Sequence, residues 1–399
     1  MRYTREFLGV AESPMVQIAT AAEAMPGSIK LCYGESDLPT PAFICEAADA
    51  ALKAGHTFYT HTAGSPDLRE AIADKIHQLH GVSYRPSEIM STVGASMAIY
   101  AAIRACVSRG DNAVIVSPAY AIFSNGVILS GGEPRPVSLV REGAGFRLDL
   151  DHLRAAIDAN TRMVIVNSPS NPTGWMIRVE EQRALMELAE RHELVILADE
   201  VYERLVYNDK PKELSPPAPE GWSPLVAPSF ACVAGNRDRL IVVNSFSKTY
   251  NMTGWRLGWA QGSEATIKTM HKAVEFMTSN ASAMVQQAGI VALRDGEPHI
   301  RALRAHYAAR RSDVMGALSS LPGLSLPEPQ GAFYAFPRID GLTDSTAFTT
   351  RLLRETGLAL APGVGFGANG EGYVRICFAA TEATVTDALE RFRSFMMPR

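Results

Sequence analysis

The chain has 399 residues, and its 38 lysines and arginines against 42 aspartates and glutamates give a formal net charge of −4. This balance provides no basic field for nucleic acid or anionic lipid, so we expect neither as a partner. Hydrophobic residues make up 47% and charged residues 20% of the chain, which is typical of a globular protein and excludes a disordered one. Because single hydrophobic cores stop growing at about 250–300 residues, the length predicts two packed units.

Membrane anchoring and disulfide bonding are not expected either. The N-terminal MRYTREFLGVAESPM lacks the apolar run of a signal peptide, and no segment has the length and apolarity of a membrane span. Cysteines are odd in number and never spaced as CxxC, which argues against a disulfide scaffold or a zinc knuckle. The cysteine pattern therefore favours a location in the reducing cytoplasm. The five cysteines are Cys32, Cys45, Cys106, Cys232 and Cys377.

Short apolar runs alternate with helical patterns through the middle of the chain. Such runs are typical of buried parallel strands, so the alternation predicts an α/β unit with a mostly parallel sheet flanked by helices. The clearest helix is predicted over Met97–Arg109, capped by Ser96 and ended by Gly110. Residues 210–228 are rich in proline and predict an irregular excursion. The predicted strands are Ile89–Val93, Ala113–Val116, Met163–Val166, Leu194–Ala198 and Leu240–Val243.

After about Ala281 the pattern changes to long helices that flank short strands, which predicts a smaller α+β unit. We expect a large domain over residues 46–281. Residues 1–45 and 282–399 are expected to form an N-terminal arm and a small domain. The predicted elements of the small domain are the helices Met284–Leu293, Ile300–Leu318 and Ser345–Glu355 and the strands Ala332–Phe336 and Tyr373–Phe378.

The segment NSFSKTYNMTGWRLGWA, at Asn244–Ala260, places a lysine just beyond a predicted strand. A desolvated lysine beside other cations loses its proton and attacks a carbonyl to form a Schiff base, which is the chemistry we expect of Lys248. Ser245, Ser247 and Arg256 would supply hydrogen-bond donors to a phosphate beside it. The segment alone also fits a surface lysine in a loop of serine and glycine.

Two further segments make the Schiff-base interpretation more specific. In LVILADEVY, Asp199 follows a predicted strand, at the sheet edge where α/β proteins bind ligands. A carboxylate there keeps a pyridine nitrogen protonated, which makes pyridoxal phosphate an electron sink. Tyr202 could donate to the phenolate oxygen of the same ring. The alternatives are a helix N-cap for Asp199 and, for Asn171 in NSPSNPTG, an Asn-Pro turn.

In this order, the three segments resemble the class I and II aminotransferases of fold type I, the aspartate aminotransferase family, over nearly the whole chain. The resemblance implies pyridoxal 5'-phosphate as cofactor and transfer of the amino group of an L-amino acid to a 2-oxo acid. It implies that Lys248 forms the Schiff base with the cofactor and that Asp199 faces the pyridinium nitrogen. Tyr202 and Asn171 resemble the pair that bonds the phenolate oxygen.

The remaining cofactor contacts are also implied by the resemblance. The phosphate would be held where a helix begins, since free N–H groups and the helix dipole favour an anion. Tyr120 resembles the aromatic residue stacked on the cofactor, although the residue alone also fits a core tyrosine. Tyr59 resembles the tyrosine that reaches the phosphate of the neighbouring subunit, which implies a homodimer with shared active sites. The expected phosphate ligands are Gly94, Ala95, Ser96, Ser245, Ser247 and Arg256.

Arg375, in GYVRICF, resembles the arginine that clamps the substrate α-carboxylate. A planar guanidinium suits two parallel hydrogen bonds, whereas an arginine among strand residues also fits a structural ion pair. Gly34 resembles the glycine whose backbone approaches the same carboxylate, and Asn171 is expected to contact substrate as well. Ser96 stands where some aspartate aminotransferases have a lysine for the distal carboxylate, so a neutral or aromatic amino acid fits better than aspartate. Phe123 stands where some members have a histidine.

Two other functions are compatible with the same resemblance. A pyridoxal-phosphate-dependent lyase or cyclase would employ the same Lys248, Asp199 and Arg375 to eliminate a β- or γ-substituent. A cofactor-sensing regulator would need a DNA-binding module, and no basic helix-turn-helix precedes the catalytic unit. No metal is expected, because His77 and His80 in HQLH have no third ligand nearby in sequence and fit an exposed helix face.

Overall fold

The computed structural model describes residues 3–207 and 225–397, so residues 210–224 of the predicted proline-rich excursion lie outside the described residues. The strands are β1 (Ile29–Lys30), β2 (Ile89–Thr92), β3 (Asn112–Ser117), β4 (Glu133–Ser138), β5 (Val140–Glu142), β6 (Gly145–Arg147), β7 (Thr161–Asn167), β8 (Val195–Asp199), β9 (Leu240–Ser245), β10 (Gly258–Gln261), β11 (Leu324–Ser325), β12 (Tyr334–Ala335), β13 (Arg338–Ile339), β14 (Leu358–Ala359), β15 (Ala361–Pro362) and β16 (Val374–Cys377).

The helices surround these strands. They are α1 (Arg5–Leu8), α2 (Pro14–Glu23), α3 (Ala42–Lys53), α4 (Pro66–His80), α5 (Gly94–Cys106), α6 (Ile122–Leu129), α7 (Leu150–Ala155), α8 (Val179–Arg191), α9 (Phe246–Thr249), α10 (Glu264–Thr278), α11 (Ala283–Asp295), α12 (Glu297–Ser319), α13 (Ser345–Thr356) and α14 (Glu382–Met396). None of the helices in the described part of the chain has the length and apolarity needed to cross a membrane.

A seven-stranded sheet in the order β2-β10-β9-β8-β7-β3-β4 forms the centre of the larger unit. Neighbouring strands from β9 to β4 pair in parallel, and β10 is antiparallel to both of its neighbours. Successive residues point to opposite faces, so Ile115 and Ile165 join one hydrophobic cluster and Val114 and Val164 another. Because both faces are buried, the strands are continuously apolar, and the predicted α/β class is confirmed.

Two strands of this sheet are absent from the predicted set. The edge strand β4 contains Pro134 and Pro136, which lack an N–H and are tolerated because the outer side of an edge strand needs no ladder bonds. Strand β10 has the sequence GWAQ and lies inside the segment interpreted as a loop around Lys248. Both strands lack the apolar run that identified the other five.

Helix α5 differs from its predicted bounds at both ends. It begins at Gly94, whose backbone has a φ of 76°, so Ser96 lies in the first turn and does not cap the helix. It ends at Cys106 because Val107 adopts an extended conformation, before the predicted stop at Gly110. The β-branched Val107 favours that conformation. The start at Gly94 brings free backbone N–H groups closer to the end of β2.

The C-terminal part of the chain contains the smaller unit, where β12, β16 and β15 form a three-stranded sheet. Its core includes residues of α12, α13 and α14, while α11 packs against α3 and α4. The three predicted helices of this region are present, and their ends lie within three residues of the predicted ones. The domain boundaries at 45/46 and 281/282 stay a prediction.

Helix α4 corrects the expectation for its two histidines. His77 is exposed, but His80 is buried and its Nε2 lies 2.9 Å from a carboxylate oxygen of Glu203. The two side chains therefore do not share an exposed face, because α4 packs its C-terminal end against the turn after β8.

The packing of α5 on the sheet yields a matched pair of substitutions. Ala102 is fully buried against the sheet, so Ala102→Leu forces extra methylenes into a filled space and should cost about 1–3 kcal/mol of unfolding free energy. Ala105 is exposed on the same helix, and Ala105→Leu should change stability by about 0.5 kcal/mol or less. Urea denaturation of both variants measures the difference, and equal stabilities would contradict this packing.

Candidate active site

One cavity of about 480 Å³ lies where strands β7, β8 and β9 end. Parallel strands deliver the residues at their carboxyl ends to the same edge, and Asn167 and Asp199 are register partners there. This edge brings together residues that are far apart in the sequence. The predicted site residues that line the cavity are Gly34, Ala95, Ser96, Tyr120, Asn171, Asp199, Tyr202, Ser245, Ser247, Lys248, Arg256 and Arg375.

Lys248 lies on the short helix α9, directly after β9. Its Nζ donates a hydrogen bond to the carbonyl oxygen of Gly34 at 2.5 Å. Burial lowers the pKa of this amine from 10.5 to about 8, and the charges of Arg375 and Arg256 act in the same direction. A substantial fraction of the amine is therefore unprotonated at mildly basic pH, as a nucleophilic lysine requires.

Asp199 ends strand β8 and is buried in the same cavity. Its Oδ1 accepts a hydrogen bond from the backbone N–H of Val201 at 3.2 Å. Burial raises the pKa of the carboxyl to about 7, against the opposing effects of that hydrogen bond and of the Lys248 charge. A cationic ligand group placed against this carboxyl would favour its ionised form.

Asn167 is a site residue that the sequence analysis missed. Its Nδ2 donates to the backbone oxygen of Asp199 at 3.0 Å, and its Oδ1 accepts from the backbone N–H of Asn171 at 2.7 Å. It therefore links the loop after β7 to the end of β8. It directly follows the predicted strand Met163–Val166, as Asp199 follows Leu194–Ala198, and this position was the signal that could have found it.

Tyr334 is a second missed residue. Its hydroxyl lies 2.7 Å from the hydroxyl of Tyr202, and burial raises the pKa of both phenols. A Cβ added at Gly34 would lie 2.5 Å from the Tyr334 hydroxyl, so the bare backbone at Gly34 allows this close approach. Nothing in the local sequence distinguishes Tyr334 from other strand residues, because its role depends on contacts with distant parts of the chain.

Arg375 on β16 is 2% exposed and lies between two aromatic rings, 4.5 Å from the centroid of Tyr334 and 4.9 Å from that of Phe366. Its Nη1 donates to Oδ1 of Asn171 at 2.8 Å, and its Nη2 donates to the carbonyl oxygen of Cys32 at 2.5 Å. Both acceptors are uncharged, and the buried Nε has no hydrogen-bond partner among the described residues. A carboxylate that enters the cavity would therefore meet a desolvated cation that still has an unused hydrogen-bond donor.

The N-terminus of α5 forms an anion cradle with Arg256. No side chain caps this helix, and a Cβ at Gly94 would overlap the guanidinium of Arg256. A Cβ at Gly258 would lie 2.6 Å from the backbone nitrogen of Ala95, so the cradle requires bare backbone at two positions. Ser245 and Ser247 add hydroxyls from the same cavity wall. Free N–H groups, hydroxyls and a guanidinium fit a phosphate group.

The two predicted aromatic contacts differ in their placement. Tyr120 lines the cavity and is 38% exposed. Tyr59 is 89% exposed and lies outside the cavity lining of its own chain.

The side chain of Phe123, an apolar residue of α6, is buried. Among the described residues, no group of three or more His, Cys, Asp or Glu side chains could hold a metal ion.

Residues 26–392 match the model of the family described as aminotransferase class I and II. The chain is 34% identical to an aspartate aminotransferase of Pyrococcus horikoshii, covering 96% of this chain and 94% of the relative. It is 35% identical to aromatic-amino-acid aminotransferase 2 of Thermococcus litoralis, covering 97% and 96%. Aspartate aminotransferase from Thermus thermophilus with maleate superposes with a TM-score of 0.88 at 32% identity, covering 98% of this chain and 99% of that chain.

The chain thus belongs to the class I and II aminotransferase family, and its architecture is that of fold type I. It is a pyridoxal-phosphate-dependent transaminase, which moves an amino group from an amino acid to a 2-oxo acid. The relatives carry aminotransferase names, so the lyase or cyclase alternative is not favoured.

A substitution that places a side chain in the anion cradle tests whether this cradle binds the cofactor phosphate. Gly94→Ala places a methyl group on the Arg256 guanidinium and should weaken pyridoxal-phosphate binding. Loss of one charged hydrogen bond costs about 1.5–3 kcal/mol, which corresponds to roughly 10- to 100-fold in the dissociation constant. Fluorescence titration of the apoenzyme with the cofactor measures this change.

Gly110→Ala is the matched control for this experiment. Gly110 also has a positive φ, 91°, but an added Cβ there meets nothing within 4 Å. It imposes the same kind of backbone strain without the clash, so its cofactor affinity should equal that of the unmodified chain. Equal affinities of Gly94→Ala and Gly110→Ala would exclude a phosphate at this helix terminus.

Proposed function

We propose that Lys248 is the catalytic lysine and that the whole cavity is its active site. The observation that carries this proposal is a buried amine with a lowered pKa, in one cavity with a buried carboxyl and a phosphate cradle. Pyridoxal phosphate, when bound, supplies an aldehyde that condenses with an amine and a ring that stores the electron pair released at the substrate Cα. Once the substrate amine has taken its place, Lys248 Nζ would take the proton from the substrate Cα and deliver it to the carbon that carried the cofactor aldehyde.

The remaining cavity residues orient the reactants. Asp199, when ionised, would keep a proton on the ring nitrogen of the cofactor, and the positive charge of that nitrogen would offset the burial of the carboxyl. Tyr202 and Asn171 would donate to the phenolate oxygen of the ring. Tyr120 would stack on one ring face. The phosphate would lie against Gly94, Ala95, Ser96, Ser245, Ser247 and Arg256.

Arg375 is proposed to bind the substrate α-carboxylate together with the backbone of Gly34 and the amide of Asn171. Its guanidinium is held in place by Asn171 and by the carbonyl of Cys32, so its plane is fixed before substrate arrives. A preorganised fork reduces the entropy lost on binding a carboxylate. The α-carboxylate would then fix the orientation of Cα toward Lys248.

We infer that the enzyme is a homodimer in which Tyr59 reaches the phosphate of the partner subunit. Phe58 and Tyr59 are 82% and 89% exposed, and Phe276 on α10 is 86% exposed. The rings of His61 and His271 lie 5.6 Å apart, so this loop and α10 belong to one surface. Large exposed aromatic side chains on two neighbouring elements fit a protein interface. We also infer a cytoplasmic enzyme of amino acid metabolism, since all five cysteines are free.

The substrate side chain is proposed to be neutral. The lysines and arginines among the lining residues are Lys248, Arg256 and Arg375, and each already has a role at the amine, the phosphate or the α-carboxylate. Ser96 offers a hydroxyl and no charge, and Met15, Val16 and other apolar side chains contribute to the wall. A distal carboxylate would therefore lose its hydration without gaining a cation.

The lysine assignment is tested by Lys248→Ala. This variant should lose transamination by roughly 10²–10⁴-fold or more, because it lacks both the amine that binds the cofactor covalently and the proton carrier. It should also lose the visible absorption of the lysine–cofactor linkage. Lys53→Ala is the control, because Lys53 is exposed on α3 and pairs only with Asp49 in the described structure. Near-normal turnover of Lys248→Ala would overturn the proposal.

The substrate class is tested with a panel of amino acids in single turnover. At equal concentration, neutral and aromatic amino acids should discharge the visible band at least roughly ten times faster than aspartate and glutamate. The reason is that one unpaired buried charge costs more than about 1.4 kcal/mol. Stopped-flow absorbance provides the rates. Aspartate or glutamate reacting faster than every neutral amino acid would refute the argument from Ser96.

A further inference from the structure

The turn that carries Asp199 and Tyr202 faces a second, buried cavity on its other side. Asp199 and Tyr202 line the active-site cavity. Glu200 and Glu203, from the same turn, line an enclosed space of about 10 Å³ together with His80 and other residues. This segment, residues 199–204, is called the Asp199 turn below. It has no helix or strand after Asp199, so side-chain contacts have a large part in fixing its position.

An ion pair and a carboxylate–histidine contact join the Asp199 turn to two helices. Nη2 of Arg204 donates to both carboxylate oxygens of Glu297, at 2.8 and 3.0 Å, and Glu297 lies in the first turn of α12. Nζ of Lys75 on α4 lies 3.9 Å from the same carboxylate. Glu203 Oε2 lies 2.9 Å from Nε2 of His80, also on α4. The side chains in all these pairs are at most 10% exposed.

Burial on this scale is costly for charged groups. Replacing a buried ion pair with apolar residues of similar volume is often neutral or stabilising, so stability alone is a weak explanation for the pairs. Their placement supplies another one, because the charge-assisted contact of Arg204 Nη2 with both Glu297 oxygens ties the turn to the start of α12. The turn backbone is bonded to β9 through Glu200 N–H and the Val243 oxygen at 2.9 Å, and the Glu203 backbone oxygen accepts from the Ala227 N–H at 2.7 Å. The Arg204 and Glu203 side chains add contacts with two helices to these backbone bonds.

We propose that the Arg204–Glu297 and Glu203–His80 pairs are positioning pairs, which hold the Asp199 turn so that Asp199 and Tyr202 meet the cofactor ring at the correct place. This inference rests on the proposed function. Arg204, Glu297, Glu203 and His80 line no part of the active-site cavity, so they act through Asp199 and Tyr202. Helix α12 continues into the core of the smaller unit, so the same pair connects that unit to the ring-binding turn.

The test is the double variant Arg204→Met/Glu297→Leu, which removes both charges of the pair, while Lys75, 3.9 Å from Glu297, keeps its hydrogen bond to the Leu293 oxygen at 3.3 Å. We expect the holoenzyme to fold with a thermal midpoint close to that of the parent. The kcat should fall by roughly 10- to 100-fold with a much smaller change in KM, since a misplaced catalytic group affects the reaction more than substrate binding. The pH titration of the visible cofactor band should also shift, because that band responds to the contacts of Asp199 and Tyr202.

Arg310→Met is the matched control. Arg310 is also a buried arginine of α12, but it pairs with Asp313 and Glu382, away from the Asp199 turn. Its kcat and band titration should match the parent even where its thermal midpoint falls. An unchanged kcat and an unchanged band titration in the double variant would overturn the proposal and leave the pairs a purely structural role.

Glu297→Gln keeps the test decisive where the double variant does not fold. It retains the shape of the side chain and weakens the contact with Arg204, so kcat and the band titration should move in the same direction by a smaller amount. A folded Glu297→Gln with parent kcat and parent titration would also overturn the proposal. Failure of the proposed function is distinguishable, because the parent chain itself would then lack the visible band and transaminase activity.

Discussion

Removal of Lys248 from water is the constraint on which the active site depends. An ammonium group in a buried cavity loses hydration that the protein does not fully replace, which is why its pKa falls to about 8. The neighbouring cations Arg375 and Arg256 strengthen that effect, and they are also the groups suited to the two anionic ends of the reactants. The same two arginines therefore help to lower the pKa of the amine and favour ligands that place one anionic group on each side of that amine.

The sheet explains how residues from four parts of the sequence reach this amine. Strands β7, β8 and β9 end side by side, so Asn167, Asp199 and the Ser245–Lys248 segment lie at one edge without any adjustment of the loops. Arg375 and Gly34 come from outside this sheet and close the opposite side of the cavity. The residues proposed to hold the cofactor are thus supported by rigid strands, whereas those proposed to bind substrate come from the smaller unit and the N-terminal region.

Much of this could be predicted from the sequence, for identifiable reasons. Continuous apolar runs revealed the buried strands, and Lys248 and Asp199 stood out because each follows such a run. The expectation for Arg375 came from the resemblance to a known family. Strand β4, with its two prolines, and the short β10 gave no such signal. Tyr334 and Asn167 could not be ranked because their roles arise from contacts with Tyr202 and Asp199 that only folding creates. The error at Ser96 had a similar origin, since Gly94 begins α5 with a backbone conformation that a capping rule does not consider.

The two glycines of the phosphate cradle, Gly94 and Gly258, bear on how selectivity could diverge among proteins with this site. Because backbone atoms of α5 and β10 approach each other there without intervening side chains, that part of the cavity has almost no room for adaptive substitution. Variation is free to accumulate instead on the wall that includes Met15 and Val16 of α2. Recognition of new side chains could therefore be acquired by exchanging a short N-terminal helix, while the close-packed backbone at Gly94 and Gly258 stays unchanged.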